Sequence, residues 1–213
     1  RNETLRCLRS VLLAANRTGY ELIVINDASP DLELVETLER QARLGFFTLL
    51  HNPQNCGFVA TANRGMSLHP DRDVVLLNSD TEVHGDWLDR LRASAWRHAR
   101  TGTVTPLSNN ATIASYPRFL HDNPYPLEIS FAALDALAAR VNHAVECEVP
   151  TGVGFCMYLR RDCLEATGLF DEEAFGRGYG EENDLCQRAI DLRDFRVLLV
   201  DHGGHPAQAG LDV

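Results

Sequence analysis

Apolar residues in the first half of the chain fall alternately in short continuous runs and in spaced repeats. The continuous runs are residues 21–25, 46–50 and 74–77. Their leucine and β-branched residues favour strands that are buried on both faces of a parallel sheet. Between the runs, apolar side chains recur every three or four residues, which predicts amphipathic helices. This alternation of strand and helix predicts a parallel α/β sheet with right-handed crossovers.

The pattern changes after Pro106. Residues 107–126 are rich in Ser, Asn, Pro and Tyr and predict a long loop, and loops of this length are usually functional or mobile. Beyond this loop the pattern predicts helices over residues 130–143, from Asp162 to Gly168 and after residue 180, and strands over residues 146–149, 155–159 and 196–200.

The chain opens within a helical pattern, and Asn2 is a suitable residue to cap that helix. A doubly wound sheet normally begins with a strand that leads into such a helix. We therefore expect the complete fold to contain a first strand before Arg1, and this strand is missing from the sequence.

Composition narrows the class of protein. With 213 residues, 45% of them hydrophobic and 23% charged, the chain is one large domain or a domain and a half. Its net charge of −10, without a local basic patch, argues against a nucleic-acid partner. The six cysteines form no C-x-x-C pair, which favours buried thiols in a reducing compartment over a disulfide framework or a zinc site.

The sequence contains no apolar run long enough to span a bilayer and no recognisable signal peptide. We therefore expect a cytoplasmic location. Peripheral association with the inner face of the membrane, through other parts of the full protein, stays open.

Polar residues follow several of the predicted strands. They are Asn26 and Asp27, Asn52, Asp80, and Asp201 with His202. Ligands of open α/β sheets gather beyond the carboxyl ends of the strands, so these tips predict a binding site at one edge of the sheet. Asp80 could hold a hard divalent cation that in turn binds phosphate, although an Asx turn or a helix cap is the alternative. His202 or His205 could be a second metal ligand.

A second acidic group, Glu181, Glu182 and Asp184, lies at the predicted start of a helix after a glycine-rich segment. Simple capping explains acids at such a place, because the helix dipole stabilises them. However, glycines can bring a carboxylate into a cleft, and clustered carboxylates raise one pKa, as a general base requires. Asp27 could accept hydrogen bonds from a base or a ribose, but no G-x-G-x-x-G motif supports a dinucleotide site.

Taken together and in order, these segments resemble a family-2 glycosyltransferase with the GT-A fold, of the type that builds bacterial surface polysaccharide. The resemblance covers nearly the whole chain and lies in six segments: 21–31 with its acidic strand tip, 52–65 with N-x-G-F-x-x-x-x-N-x-G, 78–80 at the D-x-D position, 107–117, 180–188 with the E-D-x-D-L-like acceptor motif, and 201–204. It implies one transferase domain over residues 1–213, with a mostly parallel central sheet and flanking helices. Residues 1–106 would be the nucleotide-binding half and residues 107–213 the acceptor-side half.

The resemblance also implies an inverting sugar transfer from a nucleotide-diphosphate sugar to a glycan or lipid-linked acceptor, with a hexosyl or deoxyhexosyl donor. Glu182 would be the catalytic base, tuned and positioned by Glu181 and Asp184. Asp80 and His202 would bind Mg²⁺ or Mn²⁺. The nucleotide would be bound by residues of the first half: Asn26, Asp27, Asn52, Gly57, Asn63, Arg64 and Asn78.

Two departures from the family pattern keep an alternative open. Asn78 replaces the first acid of D-x-D, which predicts weaker metal binding, and Glu182 is one methylene longer than the usual Asp. With the expected first strand absent, these departures also fit a non-catalytic module that binds a nucleotide sugar or a glycan. A metal hydrolase built on Asp80, His202 and His205 is a more remote alternative.

Overall fold

The structure is a computed structural model that describes residues 1–123, 128–142 and 145–200. Helices and strands alternate along the chain up to β4. In chain order the elements are α1 Asn2–Leu13, β1 Ile23–Asn26, α2 Leu32–Arg43, β2 Thr48–His51, α3 Phe58–Met66, β3 Val74–Leu77, α4 Trp87–Arg97, β4 Thr101–Pro106, α5 Phe131–Val141, β5 Glu146–Glu148, β6 Cys156–Leu159, α6 Arg161–Thr167, α7 Glu172–Phe175, α8 Glu181–Arg193 and β7 Arg196–Val200.

The strands form two sheets instead of the single central sheet that the sequence predicts. In one sheet β1 and β2 pair in parallel, with Ile23 opposite Thr48. The other sheet has the order β3-β6-β4-β7-β5, in which only the pair β4 and β7 is parallel. The expectation of a mostly parallel sheet is therefore wrong for the pairings of the larger sheet.

Strand direction is nevertheless mostly uniform. The starts of β1 and β3 lie together, because the Glu21 carboxylate before β1 is 2.9 Å from His69 and 2.8 Å from Arg72 before β3. β4 and β7 run in the same direction as β3, whereas β5 and β6 run the opposite way, so three of the five strands of the larger sheet run one way. The reversed strand β6 comes from the second half of the sequence and lies between β3 and β4, so both halves build one sheet.

The core lies on both faces of the larger sheet. Leu91, Val104 and Leu198 are among the residues at the centre of one apolar cluster, and Met66 and Leu185 belong to a second cluster. A smaller cluster that includes Leu34, Leu38 and Phe47 packs against β1 and β2. Helices therefore cover both sheets and hold the carboxyl ends of their strands in position.

Side-chain caps account for three of the eight α-helix starts in the described residues, those of α2, α5 and α7. The Asp31 side chain accepts a hydrogen bond of 3.0 Å from the Leu34 N–H and caps α2. In α1 the prediction of a cap by Asn2 is wrong, because Asn2 is itself the first helical residue and no side-chain hydrogen bond caps the helix. The short helix α7 has no apolar repeat and is not predicted.

The long loop after β4 is packed against the domain. Ser108, Asn109 and Ala114 are each at most 1% exposed, and the Leu107 N–H donates to the Val200 carbonyl at 3.0 Å. The Tyr116 N–H donates to the Ser108 carbonyl at 2.7 Å. Polar composition predicts a loop correctly here but misses the burial, which follows from bonds between side chains and the loop's own backbone, such as those from the Asn110 N–H to the Ser108 hydroxyl and from the Asn123 amide to the Asn109 carbonyl.

All six cysteines are free thiols. Four of them are buried as expected, but Cys56 and Cys147 are exposed, so the prediction of burial is wrong for these two. Within residues 1–123, 128–142 and 145–200, no helix combines the length and the apolar character needed to cross a membrane.

Candidate functional site

The acids that the sequence singles out at residues 80 and 182 lie at the same edge of the larger sheet. The Asn78 N–H donates to the Phe155 carbonyl at 2.8 Å, so the end of β3 lies beside the start of β6. Next to Phe155, a Cβ atom added to Gly154 would be 4.0 Å from the carboxyl carbon of Glu182. The segment 154–155 therefore links the turn that carries Asp80 to the first turn of α8.

Asp80 lies in a tight turn, in which the Thr81 N–H donates to the Asn78 carbonyl at 3.1 Å. Burial raises the pKa of the Asp80 carboxyl above its ordinary value, and the negative charge of Glu3 raises it further. Burial and a nearby like charge both disfavour the charged carboxylate, and a positive charge beside it would favour that form. A divalent cation at this carboxylate would supply that charge, so the environment of Asp80 fits the predicted metal.

A full set of protein ligands for a metal ion is not found among the residues that the structure describes. No group of three or more His, Cys, Asp or Glu in this part of the chain could hold a metal ion by itself. Asp201, His202 and His205 lie outside the described residues. The predicted role of His202 as a metal ligand therefore stays a prediction.

Asp27 organises the segment that follows β2. One of its carboxylate oxygens accepts hydrogen bonds from the Asn52 amide at 2.7 Å and from the Cys56 N–H at 2.8 Å, and the other accepts from the Gly57 N–H at 2.9 Å. Partial burial alone would raise the pKa of Asp27, but these hydrogen bonds outweigh it and lower the pKa below 3.8. These bonds occupy three of about four acceptor positions of the carboxylate, and the nearby Thr61 hydroxyl also helps to lower the pKa of Asp27.

Asn52 connects this acid to α3. Its amide nitrogen also donates to the Thr61 hydroxyl at 2.9 Å, and its oxygen accepts from the Arg64 guanidinium at 2.5 Å. The same guanidinium nitrogen donates to the His51 carbonyl at 2.8 Å. Arg64 is exposed and is held at the ends of β1 and β2, where its positive charge faces solvent beside Asp27.

Two further predicted nucleotide-binding residues have partners within the protein. The Asn26 oxygen accepts from the Ser29 N–H at 2.9 Å and shapes the turn after β1. Asn63 is buried, and its amide donates to the Phe170 carbonyl at 2.9 Å and to the Glu172 carboxylate at 2.8 Å, while its oxygen accepts from the Phe170 N–H. Asn63 thereby attaches α3 to the turn before α7, and its contact with a nucleotide stays a prediction.

Glu181 and Glu182 begin α8 after Gly180. Glu181 is 5% exposed, and one of its carboxylate oxygens has no hydrogen-bond partner. Burial raises the pKa of Glu181, and the neighbouring Glu182 raises it further. Glu182 is only half-buried, so of the two carboxylates it is the one that solvent or a substrate can reach.

Asp184 lies on the side of α8 that faces α6. Its carboxylate forms an ion pair of 2.7 Å with Arg188, whose guanidinium also donates to the Leu169 carbonyl at 2.9 Å. At the start of the helix, the Thr151 hydroxyl donates to the Asn183 side chain at 2.5 Å. These contacts fix α8 against its surroundings, and the role of Asp184 in positioning Glu182 stays a prediction.

The structure adds Arg177, which sequence reasoning missed. Gly57 has a φ of +84°, and a Cβ atom added to it would be 3.1 Å from the Cα and Cγ atoms of Arg177. The glycine-rich segment before α8 therefore packs against the segment that Asp27 holds. A basic residue between Gly176 and Gly178 was the available signal, since glycines on both sides allow a close approach.

The fold and this acidic edge define a class of protein, namely a transferase-like α/β domain with the GT-A fold. The structure of GalNAc-T7 with UDP, GalNAc and Mn²⁺ is similar over 98% of this chain, with a TM-score of 0.71 and 18% identity. A mannosyltransferase of Pyrobaculum calidifontis in complex with GDP-Man and Mn²⁺ is similar over 99% of this chain, with a TM-score of 0.64 and 16% identity. S. aureus TarS gives a TM-score of 0.63 at 14% identity over 98% of this chain.

The family follows from the sequence itself. The model of Glycosyl transferase family 2 matches residues 1–168, and the chain belongs to this family. A curated relative, the putative polypeptide N-acetylgalactosaminyltransferase 13 of Drosophila melanogaster, is 37% identical over 97 residues, which are 39% of this chain. The match spans 17% of that relative, and the structural matches span 41%, 54% and 35% of the three neighbours described above.

Proposed function

We propose that this domain is an inverting, metal-assisted glycosyltransferase that uses a nucleotide-diphosphate sugar as donor. The observation that carries the proposal is the position of Asp80 and Glu182 at one edge of the sheet, joined through Phe155 and Gly154. The family match and the neighbours that bind UDP or GDP-Man with Mn²⁺ support the choice of donor and cation.

Glu182 would act as the general base. Its carboxylate removes the proton of the acceptor hydroxyl while the acceptor oxygen forms a bond to the anomeric carbon of the donor sugar. The bond from the anomeric carbon to the diphosphate oxygen breaks at the same time, and its electron pair leaves with the nucleoside diphosphate. Because attack and departure take place on opposite faces of the sugar, the anomeric configuration inverts.

The Asp80 carboxylate would hold Mg²⁺ or Mn²⁺, with His202 as a second protein ligand. A bound cation neutralises the charge that develops on the departing diphosphate. Magnesium sites of this kind commonly use one or two carboxylates and complete their coordination with water and substrate phosphates. A single described carboxylate next to Asn78 is therefore consistent with a cation that binds together with the donor.

The nucleoside would lie beside Asp27, whose carboxylate oxygens suit an N–H of the base or a hydroxyl of the ribose. Asn52, Gly57 and Arg64 would fix the segment around it, and Arg64 would face the negatively charged donor. Asn26 and Asn63 would act through the turns that they stabilise. We propose a hexosyl or deoxyhexosyl donor and a glycan or lipid-linked acceptor in cytoplasmic synthesis of surface polysaccharide.

A thermal-shift comparison tests donor binding. UDP or GDP at millimolar concentration with Mn²⁺ should raise the melting temperature, because a ligand that binds only the folded state stabilises it. The shift should shrink without Mn²⁺ and should largely vanish in Asp80→Asn. The exposed residue Asp71 provides the control Asp71→Asn, which should keep the full shift. A shift that is equal in wild type and Asp80→Asn would remove the metal from the proposal.

The second possible function is a module that binds nucleotide sugar or glycan without transferring sugar. The observation in its favour is the single carboxylate at the D-x-D position, where Asn78 replaces the first acid. This module would show the same thermal shift with UDP or GDP but would release no nucleoside diphosphate in the presence of any donor and acceptor.

A further inference from the structure

Arg177 is the one basic residue in an acidic stretch of the sequence. The other charged residues of segment 171–184 are all acids: Asp171, Glu172, Glu173, Glu181, Glu182 and Asp184. Arg177 is exposed, and in the described part of the chain it forms no hydrogen bond or ion pair with these acids or with any other residue. An ion pair with a described residue therefore does not determine where this side chain lies.

The segment that carries Arg177 is packed against the start of α3. The rings of Phe58 and Phe170 lie 6.3 Å apart, and a Cβ atom added to Gly178 would be 4.0 Å from the Cβ atom of Phe58. The Gly178 N–H donates to the Phe175 carbonyl at 3.0 Å and closes the turn around Arg177. Because the backbone is held on both sides of Arg177, its side chain begins at a defined place in the fold.

That place is the proposed nucleotide side of the site. A Cβ atom added to Gly57 would be 3.1 Å from both the Cα and the Cγ atoms of Arg177, so the arginine stem lies against the Gly57 backbone. The N–H of the same glycine donates to the Asp27 carboxylate at 2.9 Å. The charged end of Arg177 thus extends from the segment that Asp27 organises, although the residue itself belongs to the second half of the chain.

A diphosphate at this edge needs positive charge beyond a single cation. Its own negative charges would meet the carboxylate of Asp27, whose pKa is lowered by its hydrogen bonds. Two arginines are described next to this segment. The Arg64 guanidinium already bonds to the Asn52 side chain and the His51 carbonyl, whereas that of Arg177 is not engaged. A planar guanidinium can bind two phosphate oxygens at once, which suits Arg177 to a phosphate group.

We propose that the Arg177 guanidinium binds the β-phosphate of the nucleotide-diphosphate donor. This inference rests on the proposed function and adds to it a donor contact from the acceptor-side half of the chain. The β-phosphate is the phosphate bonded to the donor sugar, and residues 176–180 lead directly into α8, which carries Glu182. Arg177 supplies positive charge to the leaving group directly, at a site where Asn78 in place of an acid weakens the binding of the cation.

The test compares nucleotides that differ only in the β-phosphate. Calorimetric titrations measure the affinities for UDP and UMP, and for GDP and GMP, with and without Mn²⁺. The variants are Arg177→Met, which keeps an apolar stem against Gly57 without the charge, and Arg177→Lys, which keeps the charge without the planar guanidinium. The matched control is Arg9→Met, which removes an exposed arginine of α1 and changes the net charge by the same amount. Thermal unfolding without nucleotide verifies that each variant is folded.

Arg177→Met should weaken the binding of the preferred diphosphate by about tenfold, because it removes a hydrogen-bonded charge pair with the β-phosphate. The affinity for the corresponding monophosphate should change by less than about twofold, since the nucleoside and the α-phosphate keep their contacts. Arg177→Lys should lose about threefold, and Arg9→Met should bind like wild type. The loss in Arg177→Met should persist without Mn²⁺ and should shrink at high NaCl concentration, because salt screens an exposed charge.

Equal affinity of wild type and Arg177→Met for the diphosphate would overturn this inference and leave the proposed donor standing. An equal loss for the diphosphate and the monophosphate would also overturn it, because Arg177 would then act on another part of the nucleotide or on the fold. If wild type bound none of these nucleotides, the proposed donor would itself be refuted, and the role of Arg177 with it. The two failures are therefore distinguished by the wild-type titration alone.

Discussion

Asp27→Asn tests whether the acid after β1 organises the proposed nucleotide side of the site. In the structure its carboxylate accepts three hydrogen bonds, from the Asn52 amide and from the N–H groups of Cys56 and Gly57. An asparagine keeps one acceptor oxygen and has an NH₂ group in place of the other oxygen. This NH₂ group would face an N–H donor and cannot accept a hydrogen bond from it. The substitution therefore removes at least one bond and takes the charge from the others.

The cost follows from these contacts. A hydrogen bond to a charged group contributes about 1.5–3 kcal/mol, and a partly exposed acid falls toward the lower end of that range. Asp27 is half-buried, so we expect a loss of about 2 kcal/mol, which lowers the melting temperature by roughly 4–8 °C in a chain of this length. Urea unfolding at neutral pH measures the loss, with Asp71→Asn as the exposed control.

The difference between wild type and Asp27→Asn should also depend on pH. The pKa of Asp27 is lowered in the folded state, so its contribution to stability is complete above its unfolded pKa of about 3.9. The contribution is lost as the pH falls through the lower folded value. A difference below about 0.5 kcal/mol at neutral pH, or one that grows toward acid pH, would refute the reasoning.

Three further predictions address the surroundings of the site. In thermal unfolding, Gly57→Ala should destabilise the protein more than Gly45→Ala. Both residues have φ near +84°, but only at Gly57 would the added Cβ lie 3.1 Å from Arg177. Equal effects would contradict the packing of Arg177 against Gly57. Asn63→Ala should lower the free energy of unfolding in urea by about 2–4 kcal/mol, since it removes two buried hydrogen bonds to Phe170 and a partly buried one to Glu172. A loss under about 1 kcal/mol would contradict its structural role. Mn²⁺-dependent nucleotide affinity in calorimetric titrations should fall with decreasing pH through the raised pKa of Asp80, because a protonated carboxyl no longer binds the cation. Asp80→Asn should bind the nucleotide weakly already at neutral pH, and a wild type without pH dependence would argue against Asp80 as ligand.

The order of elements could be predicted from the sequence, because apolar runs and spaced repeats report burial and periodicity directly. Strand direction could not, since a fully buried run such as Cys156–Leu159 has the same pattern whether it runs parallel or antiparallel to its neighbours. The cleft between β1 and β3 could not be predicted from the sequence either, because it depends on how the two sheets are arranged.

At the site, the positions of Asp80 and Glu182 at one edge follow from the strand tips and the glycine-rich approach. The partners of Asn63 and Asp184 could not be predicted, because the contacts to Phe170, Glu172 and Arg188 depend on how α3, α6 and α8 pack. Arg177 was missed for the same reason. Polar residues in a motif can bind ligand or hold the scaffold, and their spacing alone does not distinguish the two roles.

The most direct test of the account is sugar transfer by Glu182→Gln in the intact protein. Release of nucleoside diphosphate from a panel of UDP- and GDP-sugars is measured with Mn²⁺ and acceptor, beside wild type and the exposed control Glu173→Gln. The loss of a general base should reduce turnover by about 10²- to 10⁴-fold, while the thermal shift with UDP or GDP persists and the control stays active. Turnover by Glu182→Gln at the wild-type rate would contradict the account, because the acceptor proton would then have to leave without this carboxylate.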